Sequence, residues 1–214
     1  MEQKKQVIEI RKLEQFLSNI KVLNELKQPN PRLEVLKSYS GFGGLQQCFN
    51  SKQLYGAMMC ELRSTFGREQ EHQVFESIRH SCTSGYYTPK EIIGFMYKYL
   101  SEVCNFAGGD ILEPSCGSGS FFEYMPKNIM MKSKITGIEM DIFTSKLVQR
   151  IYDHITVINK PLQEVDFTDK KYDLIIGNPP YGYEVIMDKA MPDISNYTIH
   201  HYLRDQKLHT KHLC

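Results

Sequence analysis

Residues 110–122, DILEPSCGSGSFF, decide the fold class of this chain. A short strand-like segment runs into a turn that contains Gly117 and Gly119, and a helical segment follows. Because glycine has no Cβ, the backbone of such a turn can approach a ligand closely. The spacing differs from the G-x-G-x-x-G of dinucleotide-binding turns, since Phe122 stands at the third glycine position. The turn therefore favours a smaller anion such as a carboxylate, and a ligand-free strand–helix turn is the alternative.

Three more strand-like segments follow along the chain, with helical segments or loops between them. They are KITGIEM at 134–140, ITVIN at 155–159 and YDLIIG at 172–177. Strands that alternate with helices predict parallel βαβ units and an open α/β sheet with helices on both faces. In such sheets ligands bind at the carboxyl ends of the strands. The candidate site residues should therefore stand directly after these segments.

The N-terminal third is predicted to be helical. Apolar residues at spacings of three and four indicate a helix over 3–27, and further helical segments cover 33–39 and most of 45–80. A further helix is expected to run from Pro89 to about Cys104. Thr88 precedes it and Glu91 follows three residues later, a pattern that predicts a capping box with proline at the first helical position.

Composition excludes several classes of protein. The chain has 214 residues, a net charge of +1 and 41% hydrophobic residues, so it lacks the basic excess of many nucleic-acid-binding proteins. No apolar stretch approaches the roughly 18 residues of a membrane span, and the charged N-terminus lacks a signal-peptide core. Six cysteines without a C-x-x-C pair indicate reduced thiols rather than zinc. We therefore expect a cytoplasmic protein without membrane contact.

Two acidic residues follow the middle strands. Glu139 stands 20 residues after Gly119, about where nucleotide-binding α/β folds place a carboxylate that accepts hydrogen bonds from ribose hydroxyls. Asp166 could accept from the exocyclic amine of an adenine, with Phe167 against the ring. The alternative for Glu139 is a solvated acid at a strand end, and the alternative for Asp166 is a position in a surface loop without a ligand.

The last strand-like segment ends in NPPY, residues 178–181. The amide oxygen of Asn178 and the carbonyl of Pro179 are acceptors, and the consecutive prolines hold φ near −65° and so aim them rigidly. Tyr181 offers a face on which a base can stack. Acceptors that pull a conjugated NH₂ group towards tetrahedral geometry would free its lone pair for reaction. The alternative is a Pro-Pro terminator, which explains the turn but not its combination with Asn and Tyr.

In this order, EPSCGSGSFF, GIEMD, VDF and NPPY resemble the motifs of S-adenosylmethionine-dependent N6-adenine DNA methyltransferases. YYTP at 86–89 looks like the additional cofactor motif that one subgroup places before the glycine loop. YSGFGGL at 39–45 is similar to a stretch in large methylase–helicase proteins of mobile elements. NPPY also occurs in release-factor glutamine methyltransferases, and the P-x-C-G form of the glycine loop favours DNA adenine.

The resemblance implies a Rossmann-like S-adenosylmethionine methyltransferase sheet and a role for each matching residue. The residues that would bind and activate a flipped adenine are Asn178, Pro179, Pro180 and Tyr181. The residues that would bind the cofactor are Tyr87, Thr88, Pro89, Glu113, Pro114, Cys116, Gly117, Gly119, Glu139 and Asp166. Glu139 would take the ribose and Asp166 the adenine of the cofactor, whereas Cys116 would be a small packing residue rather than a nucleophile. No metal is implied, and the histidines at 200, 201, 209 and 212 are expected to be solvated.

The family's catalytic core continues well beyond NPPY, whereas this chain ends 33 residues after Tyr181. We therefore expect a helical N-terminal region at 1–85, a partial methyltransferase domain at 86–200 with an incomplete sheet, and a disordered tail at 201–214 without a strand. The segment 172–177 should then be an exposed edge that invites self-association. DNA would be bound largely through regions that are not in this chain.

The function expected from the resemblance is N6-adenine DNA methylation in a restriction-modification or mobile-element context. One alternative is a catalytically inactive cofactor-binding remnant or accessory subunit. The other is a protein-glutamine methyltransferase.

Overall fold

A computed structural model of the chain describes residues 2–45, 49, 51–84, 87–167, 170–178 and 209–213. The chain divides into two compact units, Met1–Tyr86 and Tyr87–Cys214. Among the described residues, no helix combines the length and apolar character that a membrane span requires.

The first unit is helical, as the sequence predicts. Its helices are α1 (Glu2–Leu26), α2 (Leu33–Leu36) and α3 (Lys52–Ser84). Helix α1 contacts both others and buries Phe16, Ile20 and Leu23. Gly67 interrupts α3, because its φ of 75° and ψ of 169° are not helical. The predicted segments over 33–39 and 45–80 therefore become one short helix and one long, kinked helix.

A buried amide fixes the glycine turn between α2 and α3. The side chain of Asn19 is fully buried; its Nδ2 donates to the carbonyl of Gly41 at 2.5 Å, and its Oδ1 accepts from the N–H of Ser40 at 2.9 Å. Gly41 and Gly44 have positive φ, which most L side chains adopt only with strain. The YSGFGGL stretch is thus an ordered turn anchored on α1.

The second unit alternates strands and helices. Its helices are α4 (Lys90–Glu102), α5 (Ser120–Glu123), α6 (Lys127–Met130) and α7 (Ile142–Ile151). Its strands are β1 (Asp110–Glu113), β2 (Lys134–Ile138), β3 (Thr156–Ile158), β4 (Lys171–Ile175) and β5 (His209–Leu213). A 3₁₀ turn, Leu162–Glu164, lies between β3 and β4. The first four strands lie in the four segments that the sequence predicts.

The five strands form one parallel sheet in the order β3-β2-β1-β4-β5. Strands β2 and β3 follow β1 on one side of the sheet, whereas β4 and β5 lie on the other side of β1. The strand order therefore reverses between β1 and β4. This is the place at which open α/β sheets bind ligands. The topology confirms the predicted α/β class and identifies a Rossmann-like sheet.

Apolar side chains cover both faces of the sheet, because successive residues of a strand point in opposite directions. Ile111, Ile135 and Leu174 pack on one face with residues of α4, α5 and α7. Leu112 and Ile175 pack on the other face with the 3₁₀ turn. A strand that is buried on both faces reads as a continuous apolar run, which explains why the centre of β1 has no polar alternation.

Two expectations are wrong. The tail was expected to contain no strand, but residues 209–213 form β5 beside β4. Lys171 lies opposite His209, and Ile175 lies opposite Leu213. The segment 172–177 is therefore not the exposed edge, and the premise of the expected self-association fails.

The capping box does not form either, because Pro89 remains extended (ψ 141°) at the N-cap position and the helix begins at Lys90. Glu91 is then the second helical residue, too early for the reciprocal hydrogen bond.

Candidate cofactor-binding and catalytic site

The sheet brings the predicted motifs to one end. Glu113 ends β1, Glu139 follows β2 directly and Asn178 lies three residues after β4. Backbone hydrogen bonds extend the ladder beyond the strands: the N–H of Cys116 donates to Ile138 at 2.8 Å, and the N–H of Ile176 donates to Leu112 at 3.0 Å. The glycine loop is thus held between the ends of β2 and β4.

The two glycines of the loop have different surroundings. Both have positive φ, 50° at Gly117 and 86° at Gly119. An added Cβ at Gly119 would lie 2.8 Å from Cε2 of Tyr152, so close packing requires glycine there. An added Cβ at Gly117 would approach nothing nearer than Cε1 of Tyr87 at 3.7 Å. Gly119 therefore serves the packing of the loop, whereas Gly117 faces open space beneath a tyrosine.

Tyr87 lies over the loop. Its side chain forms a hydrogen bond with Ser118, and its ring is the group nearest to an added Cβ on Gly117. Thr88 and Pro89 connect it to the start of α4, where the carbonyl of Pro89 accepts from the N–H groups of Ile92 and Ile93. The YTP segment is thus positioned between the glycine loop and α4.

Glu139 is bound by backbone donors. Its Oε2 accepts from the N–H of Gly117 at 3.0 Å and its Oε1 from the N–H of Asp141 at 2.7 Å. Burial raises the pKa of Glu139 to about 7, although these N–H groups and that of Met140 act in the opposite direction. Asn159 holds the backbone here by donating to the carbonyls of Glu139 and Met140. The carboxylate retains lone pairs with which further hydroxyl groups could bond.

Glu113 has the opposite environment. Its side chain is 2% exposed, and its Oε2 is buried without a hydrogen-bond partner among the described residues. Burial, and next the negative charge of Glu139, raises the pKa of Glu113 well above its usual range. An unsatisfied buried oxygen is costly unless a ligand supplies a donor. The buried oxygen of Glu113 thus lacks the backbone donors that stabilise the charge of Glu139.

Pro114 and Cys116 belong to the packing of the loop. Pro114 lies against the end of β4, where an added Cβ on Gly177 would approach its Cδ to 3.3 Å. The thiol of Cys116 is buried against Gly137 of β2 and Phe122 of α5, and burial raises its pKa. A thiol that is buried and neutral is a poor nucleophile, so its surroundings fit the expected packing role.

Asn178 lies beside the glycine loop through its backbone. The hydroxyl of Ser115 donates to the carbonyl of Asn178 at 3.3 Å, and an added Cβ on Gly177 would approach Cγ of Glu113 to 3.3 Å. Pro179, Pro180 and Tyr181 lie outside the described residues. The structure therefore brings the first residue of NPPY to the glycine loop, and the roles of the other three remain predictions.

Asp166 is exposed in the loop that follows β3. Phe167, in contrast, is 9% exposed and packs in the second apolar cluster with Leu112 and Leu162. Its ring is largely used by core packing, which leaves little of it to stack on an adenine.

Three residues at this end escaped the sequence analysis. The hydroxyl of Tyr97 in α4 donates to the carbonyl of Phe121 at 3.0 Å and so ties the helix to the loop. Tyr152 closes the space beside Gly119, and Ser115 bonds to Asn178. Only Ser115 lies within a quoted motif; the tyrosines meet the loop through tertiary packing, which no local pattern reports. Among the described residues, no cluster of three or more acidic, cysteine or histidine side chains could hold a metal ion.

The parallel sheet with its reversal of strand order, its glycine loop after β1 and its acid after β2 define a Rossmann-like methyltransferase fold. The profile of the N-6 DNA Methylase family matches residues 65–209, and the chain belongs to this family.

Individual relatives match a shorter part of the chain than the family profile does. The chain is 35% identical over 100 residues to the type II methyltransferase M.CvrRI of Paramecium bursaria Chlorella virus XZ-6E, over 45% of this chain and 24% of that protein. It is 30% identical over 98 residues to the modification methylase CviBIII of Paramecium bursaria Chlorella virus NC1A, over 45% and 25%. These matches cover about a quarter of the length of each relative.

Among solved structures, the methyltransferase subunit of a type I restriction-modification system from Streptococcus thermophilus is similar. It has a TM-score of 0.45 and 17% identity, over 80% of this chain and 46% of that one.

Proposed function

We propose that the chain binds S-adenosylmethionine at the carboxyl ends of β1 and β2 and that it serves the methylation of N6 of adenine in DNA. The observation that carries the proposal is the buried Oε2 of Glu113, which has no hydrogen-bond partner among the described residues, together with the open space at Gly117. An oxygen of this kind suits a cationic donor, such as the ammonium of an amino acid. Family membership supports DNA adenine as the acceptor.

The residues present fit the cofactor. Glu113 and the loop around Gly117 and Gly119 would hold its methionine part, and Tyr87 would close the site above Gly117. Glu139 has lone pairs left for ribose hydroxyls, and the exposed Asp166 would accept from the adenine amine. When bound, S-adenosylmethionine supplies a methyl group on a sulfonium, which an amine can attack.

The acceptor side of the site begins at Asn178. Its amide oxygen and the carbonyl of Pro179 would accept the two hydrogens of the adenine amine, and Tyr181 would stack on the ring. Holding both hydrogens localises the lone pair of the nitrogen, so the chain's own acceptors activate the nucleophile. The adenine must leave the duplex to reach this site. The cytoplasmic location belongs to the same proposal, and its support is that Cys60, Cys104 and Cys116 are free thiols.

Two measurements test the proposal. Calorimetry with S-adenosylmethionine and with S-adenosylhomocysteine should show binding of both, and no heat with either ligand would refute the cofactor assignment. Labelled methyl transfer to duplex DNA and to a glutamine-containing release-factor protein would then identify the acceptor. Label on adenine supports the proposal, label only on the protein supports the glutamine alternative, and binding without any transfer identifies an inactive cofactor-binding chain.

Two asparagines make the transfer assay specific. Asn178→Ala should remove methyl transfer because it deletes the acceptor on the substrate amine. Asn128→Ala changes an exposed asparagine of α6 and should leave transfer unchanged. Equal losses in both variants would show that Asn178 has no special role.

A further inference from the structure

The two carboxyl groups of the site, Glu113 and Glu139, differ in what stabilises their charge. Glu139 accepts hydrogen bonds from the N–H groups of Gly117, Asp141 and Met140, which favour its ionised form. Within the part of the chain that the structure describes, Glu113 has no such donor at its buried Oε2. If one proton is shared between two neighbouring acids, the acid without donors holds it more strongly. This asymmetry places the proton on Glu113.

Among the described residues, no positively charged group influences Glu113. The titratable groups that influence it or are influenced by it are Tyr97 of α4, Cys116 of the loop, Glu139 after β2 and Tyr152 after α7. All are neutral or negative at neutral pH, and the β4 side presents Gly177. None of the ion pairs among the described residues includes Glu113. An ionised Glu113 would thus be a buried charge without a counter-charge, which is strongly unfavourable.

We propose that Glu113 carries a proton in the cofactor-free protein and releases it to solvent when the ammonium group of the cofactor binds, so that cofactor binding is coupled to proton release. The proposal rests on the proposed function of this site. The O–H bond of the Glu113 carboxylic acid breaks and its proton passes to water. The resulting carboxylate pairs with the ligand ammonium, whose N–H bonds remain intact. Charge is conserved, because one buried negative charge appears as one proton leaves.

The coupling has a direct calorimetric signature. Protons that are released on binding are taken up by the buffer, so the observed heat depends on the ionisation enthalpy of that buffer. At about pH 7 the binding of S-adenosylmethionine should be more exothermic in Tris than in phosphate. S-adenosylhomocysteine should give the same difference, because it keeps the ammonium but lacks the sulfonium charge. Equal heats in both buffers would overturn the coupling while leaving cofactor binding intact.

Matched variants assign the proton. Glu113→Gln keeps the shape of the side chain but cannot ionise, so proton release should fall by about one proton per ligand and affinity should fall tenfold or more. Glu123→Gln alters an exposed glutamate of α5 and should leave both quantities unchanged. Undiminished proton release in Glu113→Gln would show that another group supplies the proton. Release with S-adenosylmethionine but not with S-adenosylhomocysteine would overturn the role of the ammonium.

A ligand-free measurement tests the protonation itself. In the chain with ¹³C-labelled glutamate, one carboxyl signal should keep the shift of a fully protonated acid at pH 7, whereas Glu139, with a pKa of about 7, should give an intermediate shift. The fully protonated signal should move to the ionised position on addition of S-adenosylhomocysteine. If all glutamates are ionised at pH 7 without ligand, the proposal is wrong whatever the cofactor does. If a protonated glutamate is present but neither ligand binds, the proposed function and the coupling both fail.

Discussion

The hydroxyl of Ser115 donates a 3.3 Å hydrogen bond to the carbonyl of Asn178, so the glycine loop and the start of the NPPY motif are joined directly. Next to this bond, Gly177 lies so close to Glu113 and Pro114 that an added Cβ would approach both within 3.3 Å. The backbone at Asn178 is therefore supported by the residues that would hold the cofactor. The segment that contains Glu113, which would bind the cofactor, therefore also positions Asn178, which would contact the substrate.

Ser115→Ala should lower the free energy of unfolding by about 1 kcal/mol, because it removes one hydrogen bond from a partly buried carbonyl. The affinity for S-adenosylmethionine should stay within about twofold, since Ser115 bonds to Asn178 rather than to the ligand site. Urea unfolding and calorimetry measure the two quantities. Ser115→Thr keeps a hydroxyl and should restore much of the stability. A loss of cofactor affinity that exceeds the loss of stability would show that Ser115 touches the ligand itself.

The two glycines of the loop should fail in different ways. Gly119→Ala should destabilise the fold by about 1–3 kcal/mol, because its φ of 86° is unfavourable for alanine and its Cβ would meet Tyr152. Gly117→Val should also destabilise the fold, because its φ of 50° strains a β-branched residue, and it should in addition abolish cofactor binding, because its side chain enters the open space beneath Tyr87.

Gly94→Ala is the matched control for both glycine variants. It lies in α4 with nothing within 4 Å of an added Cβ and should be neutral or stabilising. Thermal unfolding and calorimetry on the three variants separate the two effects. If Gly117→Val binds the cofactor like the natural chain, the cofactor does not occupy that space.

Stability should fall as the pH rises from about 4.5 to about 7. The pKa of Glu139 is raised to about 7 in the folded chain and is near 4.5 when unfolded, so its contribution is fully present below 4.5 and is lost as the pH passes through 7. Burial also raises the pKa of Glu113, which contributes to the loss of stability in the same direction. Unfolding by urea at a series of pH values measures the slope.

Glu139→Gln should flatten the slope between pH 4.5 and 7, whereas Glu123→Gln should not change it. Stability that increases through this window, or a slope indifferent to Glu139→Gln, would contradict the burial of these acids.

Local patterns predicted much of the second unit because each element carries its own signal. The apolar run of β1 and the glycines after it mark a strand and a turn whatever the rest of the chain does. The capping box at Thr88 failed for a tertiary reason: Tyr87 is held over the loop by Ser118 and Pro89 stays extended, so the helix starts one residue later. The raised pKa of Glu113 was also out of reach, since it depends on burial between elements that are distant in sequence.

Strand β5 was missed because its sequence, HTKHL, has neither apolar alternation nor a β-branched run. It forms through backbone hydrogen bonds with β4, and such bonds need no particular side chain. A paired edge can therefore arise from a segment whose composition suggests a tail.

Deleting residues 209–214 should increase the self-association of the chain. Strand β4 lies between β1 and β5, and the loss of β5 exposes a row of unpaired N–H and C=O groups along an apolar strand. Sedimentation velocity over a range of concentrations should show a larger average mass for the deletion than for the whole chain. Lys211→Ala keeps the backbone of β5 and should sediment like the natural chain. A deletion variant that stays monomeric, with the amides of 172–175 still protected from hydrogen exchange, would show that β5 does not cover this edge.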